Sequence, residues 1–356
     1  MTPAKPNSVG LLKYQSDQLR ARPVRAKAPL RISFAGGGTD VMPYPAEHGG
    51  CVLSATIDMY AFATAQRRED CEYHVYMGDG TNARYQKAEE LVFDGNLDLV
   101  KAVVKSLSPD AGLDLHLFSD APPGSGLGSS SAMVVAMLAA IAELNHLPMP
   151  AYELARRAYQ VERLELKQAG GMQDQYAAAF GGFNFIEFNG EDRVVVNPLR
   201  IHANVLNELH GSMLLCYTGV TRESWGILER QVAGYKAKNS QSLEALKTIK
   251  GLSVEMKESL LTGHLQKFGE GLNAGWLAKR NLAQGISNDH IEKLYEKAMS
   301  AGASAGKILG AGGGGFLLIF CDFNRRPEVT RAMEEAWARI VPFHFEEQGV
   351  QTWRAP

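Results

Sequence analysis

Between Pro122 and Ala132 the chain reads Pro-Pro-Gly-Ser-Gly-Leu-Gly-Ser-Ser-Ser-Ala, with glycines at alternate positions and then three hydroxyls. The preceding segment alternates Leu113, Leu115 and Leu117 with polar neighbours, and Ser129 to Asn145 is rich in Ala, Met, Val and Leu, so the spacing predicts a strand, a tight loop and a buried helix. Consecutive backbone N–H groups around one concavity, backed by a helix N-terminus, form an anion cradle, and glycine permits the close approach. By composition the run also suits a flexible connection capped by serine. Two nucleotide-binding patterns do not describe it: it lacks the lysine of a Walker loop, and a G-x-G-x-x-G frame starting at Gly124 meets Ser129 in place of its last glycine. Gly310 to Gly315 satisfies that frame but runs into the strand-like Phe316 to Cys321 instead of a helix, which excludes a Rossmann reading.

With 356 residues, 45% hydrophobic and 21% charged, the chain can bury a substantial core, and two lobes are expected. A formal net charge of -2 provides no broad field for nucleic acid, so an anionic ligand must be held by a local set of donors. Cys51, Cys71, Cys216 and Cys321 form no C-x-x-C pair and read as reduced packing residues. Met1 to Val24 is polar and basic, without the apolar stretch of a signal peptide, and no run suits a bilayer span. A cytoplasmic protein with no membrane partner is the expectation.

The apolar Pro29 to Ala35 predicts a strand ending on Gly36-Gly37-Gly38-Thr39-Asp40. A long strand or hairpin is predicted over Cys51–Gln66, strands over Tyr73–Met77 and Gly182–Phe188, and helices over Leu97–Leu107 and Tyr152–Gln168, the last broken by Gly170-Gly171. Beyond Ala203 the pattern predicts strands at Met213–Tyr217, Lys307–Leu309 and Phe316–Cys321, several helices between Glu223 and Ala301, and a helix over Glu328–Ile340. The fold class is α+β, divided into an extension over 1–24, an N-terminal domain over 25–203 and a C-terminal domain over 204–356.

Three segments in order, Ala28-Pro29-Leu30-Arg31 through Asp40, Pro122 through Ala132, and Lys307-Ile308-Leu309-Gly310 through Gly315, resemble the three motifs of the GHMP kinases. That resemblance implies an N-terminal lobe like domain 2 of ribosomal protein S5 and a ferredoxin-like C-terminal lobe. It implies an ATP-binding cradle at Pro123, Gly124, Ser125, Gly126, Leu127, Gly128, Ser129, Ser130 and Ser131, with Ser130 and Glu162 matching the ligands of Mg²⁺, a hard cation that takes oxygen donors. Glu162 also lies beside the apolar stripe Leu154, Ala158 and Val161, an unusual place for a solvated carboxylate, an oddity shared by Glu165. Asp174 matches the catalytic aspartate that orients or deprotonates the acceptor hydroxyl, although its spacing also suits a cap, and Arg31 matches a cation beside it.

Within the family the sugar-1-kinase branch is the nearest resemblance, and in it the heptose 7-phosphate kinases, on Ala28 through Asp40, Tyr217-Thr218-Gly219 with Arg222, and Gly306 through Gly315. Fucokinases are close but usually carry tryptophan where Gly38 stands. Met42 and His48 depart from the heptose-kinase pattern. Gly37, Gly38, Thr39, Asp40, Gly312 and Gly313 are expected to meet the sugar, and Arg222, Lys279 and Lys307, with Arg280 nearby, are cations available to a second phosphate. The partners implied are a sugar phosphate and ATP, with a homodimer as a further expectation. A sensor that keeps the fold without catalysis is the reading from another class, and the intact Arg31, Ser130, Glu162 and Asp174 argue against it.

Overall fold

The computed structural model describes residues 22–107, 112–221 and 225–356. Its elements in chain order are β1 (Val24–Ala35), α1 (Tyr44–His48), β2 (Gly50–Arg67), β3 (Tyr73–Met77), β4 (Asn82–Tyr85), α2 (Asp98–Leu107), β5 (Leu113–Ser119), α3 (Ser129–Leu144), α4 (Ala151–Tyr159), α5 (Gln173–Phe180), β6 (Phe183–Phe188) and β7 (Val194–Pro198). They continue with α6 (Ala203–Gly211), β8 (Met213–Tyr217), α7 (Trp225–Lys236), α8 (Ser240–Leu261), α9 (Leu265–Lys279), α10 (Asp289–Ser300), β9 (Ala303–Ile308), β10 (Phe316–Cys321), α11 (Arg326–Glu335), β11 (Arg339–Ile340) and β12 (Gln351–Arg354).

The long strand β2 organises the first sheet. Its first eight residues are buried on both faces, whereas the rest alternates as expected of a strand with one covered face. One edge pairs with β1 along nearly its whole length. The opposite edge is shared, Gly50–Ala55 pairing with β6 and Ala61–Arg67 with β5, so the sheet forks around that strand. Helix α3 lies across β1 and β2; it is apolar all round and buried along almost its full length, which suits a central helix covered on every side.

The second sheet is antiparallel in the order β11-β8-β10-β9. Helices α9 and α10 pack on β9, enclosing a separate core around Trp276, Leu246, Ile308, Leu317 and Ile319. The α+β reading holds. After β11 the chain returns to the first sheet: Phe345 packs against Phe34 and Phe183, Glu346 N donates to Thr56 O at 2.9 Å, and β12 pairs antiparallel with β1. Strands on either side of 203/204 thus belong to different sheets except β12, which a division of the sequence by position cannot reveal.

Several elements differ from the sequence reading, among them β1, which begins at Val24 and not at Pro29. The helix predicted over Glu328–Ile340 ends at Glu335, and Trp337 takes a positive φ of 64° before the short strand β11. The helix predicted over Tyr152–Gln168 widens after Tyr159 into a π-helical turn over Gln160–Glu165. The strand at Lys307 begins earlier, at Ala303. The N-terminal extension as far as Ala21 and the cation Arg222 lie outside the described residues.

Candidate active site

The middle glycine run is a tight loop between β5 and α3. Gly124, Gly126 and Gly128 all have positive φ, a conformation that side chains rarely adopt. The backbone of Gly126 crosses that of Gly310: a Cβ at Gly126 would stand 2.6 Å from Leu309 O, and one at Gly310 would stand 2.5 Å from Gly126 Cα. Phe316 N also donates to Ser125 O at 3.0 Å. The third glycine segment thus serves the loop by backbone contact, locking the second lobe to the phosphate cradle suggested by sequence. Leu127 and Ser125 are fully buried beneath it.

Arg31, on β1, is buried and fastens three things together. Its backbone N donates to Leu127 O at 3.0 Å and its NH1 donates to Gly126 O, so it holds the loop from below. Its Nε donates to Asp174 Oδ1 at 2.7 Å, and NH2 lies 2.6 Å from the same oxygen. The aspartate is 143 positions away in sequence yet stands directly under Gly128, where a Cβ would lie 3.3 Å from its Cγ. The sequence-predicted pair therefore meets at the end of the loop, with Asp174 in the first turn of α5.

Asp40 is completely buried. Gly38 N donates to its Oδ1 at 3.0 Å, Gln173 N to its Oδ2 at 3.1 Å, and Gln173 Nε2 to both oxygens at 3.2 Å. Burial raises its pKa above the usual carboxylate range, and the charge of Asp174 adds to the rise, while the Gln173 and Gly38 amides oppose it. Thr39 is spent on the turn itself: Oγ1 donates to Gly36 O at 2.8 Å and accepts from Cys51 N at 3.1 Å. Gly37 lies beside Ser33 Oγ and Gln173 Nε2, whereas Gly38 accepts a hydrogen bond from Gln231 Nε2.

Glu162 sits in the π-helical turn and is only 1% exposed. Ser131 Oγ donates to its Oε1 at 3.0 Å, Gln175 Nε2 donates to its Oε2, and Arg163 NH1 is 3.7 Å away. The structure thus joins Glu162 to the serines of the loop, through Ser131; Ser130 is half-buried and Ser129 donates to Pro122 O at 3.2 Å. Glu165 turns away, 3.8 Å from Arg157. No cluster of three or more His, Cys, Asp or Glu side chains suited to a metal is present among the described residues. A carboxylate and serine hydroxyls are nevertheless oxygen donors that fit Mg²⁺, with nucleotide phosphates able to complete the shell.

The two lysines named in the sequence are buried, Lys279 close enough to Asp40 and Asp174 to feel their charge. Lys279 Nζ donates to Gly310 O; burial, then the charge of Arg31, lowers its pKa to about 8, while Asp40 and Asp174 pull it back up. Lys307 Nζ donates to Ser33 O at 2.9 Å and Phe34 O at 2.8 Å, tying β9 to β1; burial, Lys279 and Arg31 push its pKa well down. Both line a small cavity against Gly36 and Gly37. Gly313 N is committed to Ile286 O at 2.9 Å, and Gly312 packs on Ile286. Arg280 pairs with Glu292 at 3.1 Å.

Residues 98–182 match the model of the GHMP kinases N terminal domain and residues 256–339 that of the GHMP kinases C terminal domain. A D-glycero-alpha-D-manno-heptose 7-phosphate kinase of Campylobacter jejuni is 39% identical over 338 residues, covering 93% of this chain and 99% of the relative. The chain belongs to the GHMP kinases. A solved heptose 1-phosphate kinase from Bacteriodes thetaiotaomicron superposes with a TM-score of 0.78 at 36% identity, covering 94% of this chain and 99% of that one. More distant is a bifunctional fucokinase/GDP-fucose pyrophosphorylase of Arabidopsis thaliana, 25% identical over 93% of this chain but only 33% of the relative. This GHMP kinase is accordingly a sugar kinase, a phosphotransferase with ATP as co-substrate. No helix among its described residues is long and apolar enough to cross a membrane. Two residues of the site had escaped the sequence reading, Gln173 and Gln175, which flank Asp174; glutamine is an ordinary helix former, and only their adjacency to the aspartate marks them.

Proposed function

We propose that this kinase transfers the γ-phosphoryl group of ATP to O1 of D-glycero-D-manno-heptose 7-phosphate, giving the 1,7-bisphosphate and ADP, a step toward nucleotide-activated heptose. The observation that carries the reading is the Arg31–Asp174 pair at the end of the glycine loop, with Asp40 one residue of contact away through Gln173. Loop N–H groups at the start of α3 would hold the donor phosphates. Asp174 accepts the proton of the attacking hydroxyl or orients it, and Arg31 balances charge on the transferring group, as phosphoryl transfer demands. Ser130 and Glu162 would hold Mg²⁺, with Ser131 and Gln175 steadying the carboxylate; the bound ion neutralises phosphate charge. Asp40, flanked by Gly37, Gly38 and Thr39, is the acceptor for sugar hydroxyls.

The second phosphate needs cationic donors. Lys279 spends one of its three N–H donors on Gly310 O, leaving two, and with Arg222 it supplies the candidate set, whereas Lys307, its pKa pushed well down and two of its donors spent on Ser33 O and Phe34 O, serves as a tie between β9 and β1. The names of the two heptose-kinase relatives place a phosphate at position 7 in one and position 1 in the other. Transfer to O1 needs a free O1 hydroxyl, which the 7-phosphate has. A panel of free and phosphorylated sugars with ATP tests the assignment: turnover of heptose 7-phosphate well above that of fucose, galactose and free heptose is expected. Strong turnover of fucose with none of heptose 7-phosphate would move the enzyme to the fucokinases.

A further inference from the structure

We propose that Gln173 and Gln175 are positioning residues that fix the acceptor-side carboxylate Asp40 and the donor-side carboxylate Glu162 relative to Asp174, so that the first turn of α5 sets the spacing of the whole site; this rests on the functional reading above. Successive residues on a helix are separated by about 100°. Gln173, Asp174 and Gln175 therefore fan out toward three walls of one cleft. Gln173 reaches β1's following turn, its side-chain amide donating to both oxygens of Asp40. Asp174 meets Arg31. Gln175 reaches the loop and the π-helical turn, donating to Glu162 Oε2 and, at 3.2 Å, to Ser131 Oγ.

The residue type fits that task. A buried carboxylate needs donors, but a lysine or arginine there would cancel its charge. A carboxamide N–H supports the charged form while remaining neutral, leaving the negative charge of Asp40 for sugar hydroxyls; at Glu162, where Arg163 NH1 already stands 3.7 Å from Oε1, it adds a donor without adding a second cation, so charge remains for a metal ion. Each glutamine does this at a cost to the fold: Gln173 Oε1 and Gln175 Oε1 are both buried and without a hydrogen-bond partner. Gln175 is completely buried. An apolar side chain of the same length would fill either space without stranding an oxygen, so packing does not account for glutamine at both positions.

The near-isosteric substitutions Gln173→Met and Gln175→Met test this, each read by calorimetric affinity for heptose 7-phosphate and for Mg·ADP, by KM and kcat, and by thermal unfolding. Gln175→Met is expected to weaken Mg·ADP binding and raise the Mg²⁺ requirement about 10-fold or more, with sugar-phosphate affinity unchanged. Gln173→Met is expected to raise the dissociation constant and KM for the sugar phosphate about tenfold, with Mg·ADP affinity unchanged. Both keep their folds. If both affinities shift together in either variant, or neither shifts, the positioning role is overturned. Should a methionine variant unfold, Gln173→Asn and Gln175→Asn, which keep the amide one methylene short, must show the same separation in weaker form. If the wild type turns over a different sugar, the substrate assignment fails, and the same variants measured with that sugar decide the positioning role independently.

Discussion

Arg31 binds Asp174 through two guanidinium nitrogens and the loop through a third, so a change at Asp174 acts on chemistry and anchoring together. Asp174→Asn keeps an oxygen to accept from Arg31 Nε and still folds, but it removes the base and the charge. Its turnover should fall by about 10²–10⁴-fold with a small change in KM for ATP, measured by steady-state kinetics. Lys279 carries a second prediction. Its folded pKa of about 8 lies below the ordinary 10.5, so between those values the unfolded chain binds a proton that the folded protein has lost. Its contribution to stability therefore rises with pH through that window, so the denaturation midpoint of the wild type minus that of Lys279→Met should increase between about pH 8 and pH 10.5. At this scale the sequence was partly legible. Arg31, Asp40, Glu162 and Asp174 stood out through motif resemblance, and the structure brings them together. Gln173 and Gln175 gave no signal, because their role comes from partners 133 and 13 positions away.

Short apolar runs of strand length were readable: Tyr73–Met77, Met213–Tyr217 and Phe316–Cys321 are strands with those bounds. Less legible was α5, in which Gln175 to Ala179 are buried in succession on every side and so show no amphipathic stripe. Nor could periodicity show that Gly126 and Gly310 cross, since that contact joins two loops of different lobes. Gly126→Ala should be severely destabilising, beyond the roughly 1–3 kcal/mol of positive-φ strain, because its Cβ meets Leu309 O. Gly95→Ala is the control: its φ is similarly positive at 91°, but its Cβ would meet nothing within 4 Å. Chemical denaturation of the pair should show a clearly larger loss at Gly126, accompanied by lost ATP binding.

In the whole molecule, the two lobes are held beside the site by Lys307 on the carbonyls of β1 and Phe316 on Ser125, and at the start of β1 by the tail that carries β12 back to the first sheet. The tail was not legible as part of the first lobe because its short strand, largely polar, gains meaning only from the edge of β1 that it covers. Truncation after Ile340 removes Phe343, which is buried, together with β12; loss of one buried Phe side chain costs about 3–5 kcal/mol, so the truncated chain should have no cooperative unfolding transition at the wild-type midpoint. The central claim is that this assembled cleft moves phosphate from ATP to the anomeric hydroxyl of a sugar phosphate. ³¹P NMR of heptose 7-phosphate incubated with Mg·ATP and the enzyme tests it most directly. One new anomeric phosphate signal should grow in step with ADP while the original phosphomonoester persists; ADP with no new sugar phosphate, or a new phosphate on a non-anomeric carbon, would contradict the account.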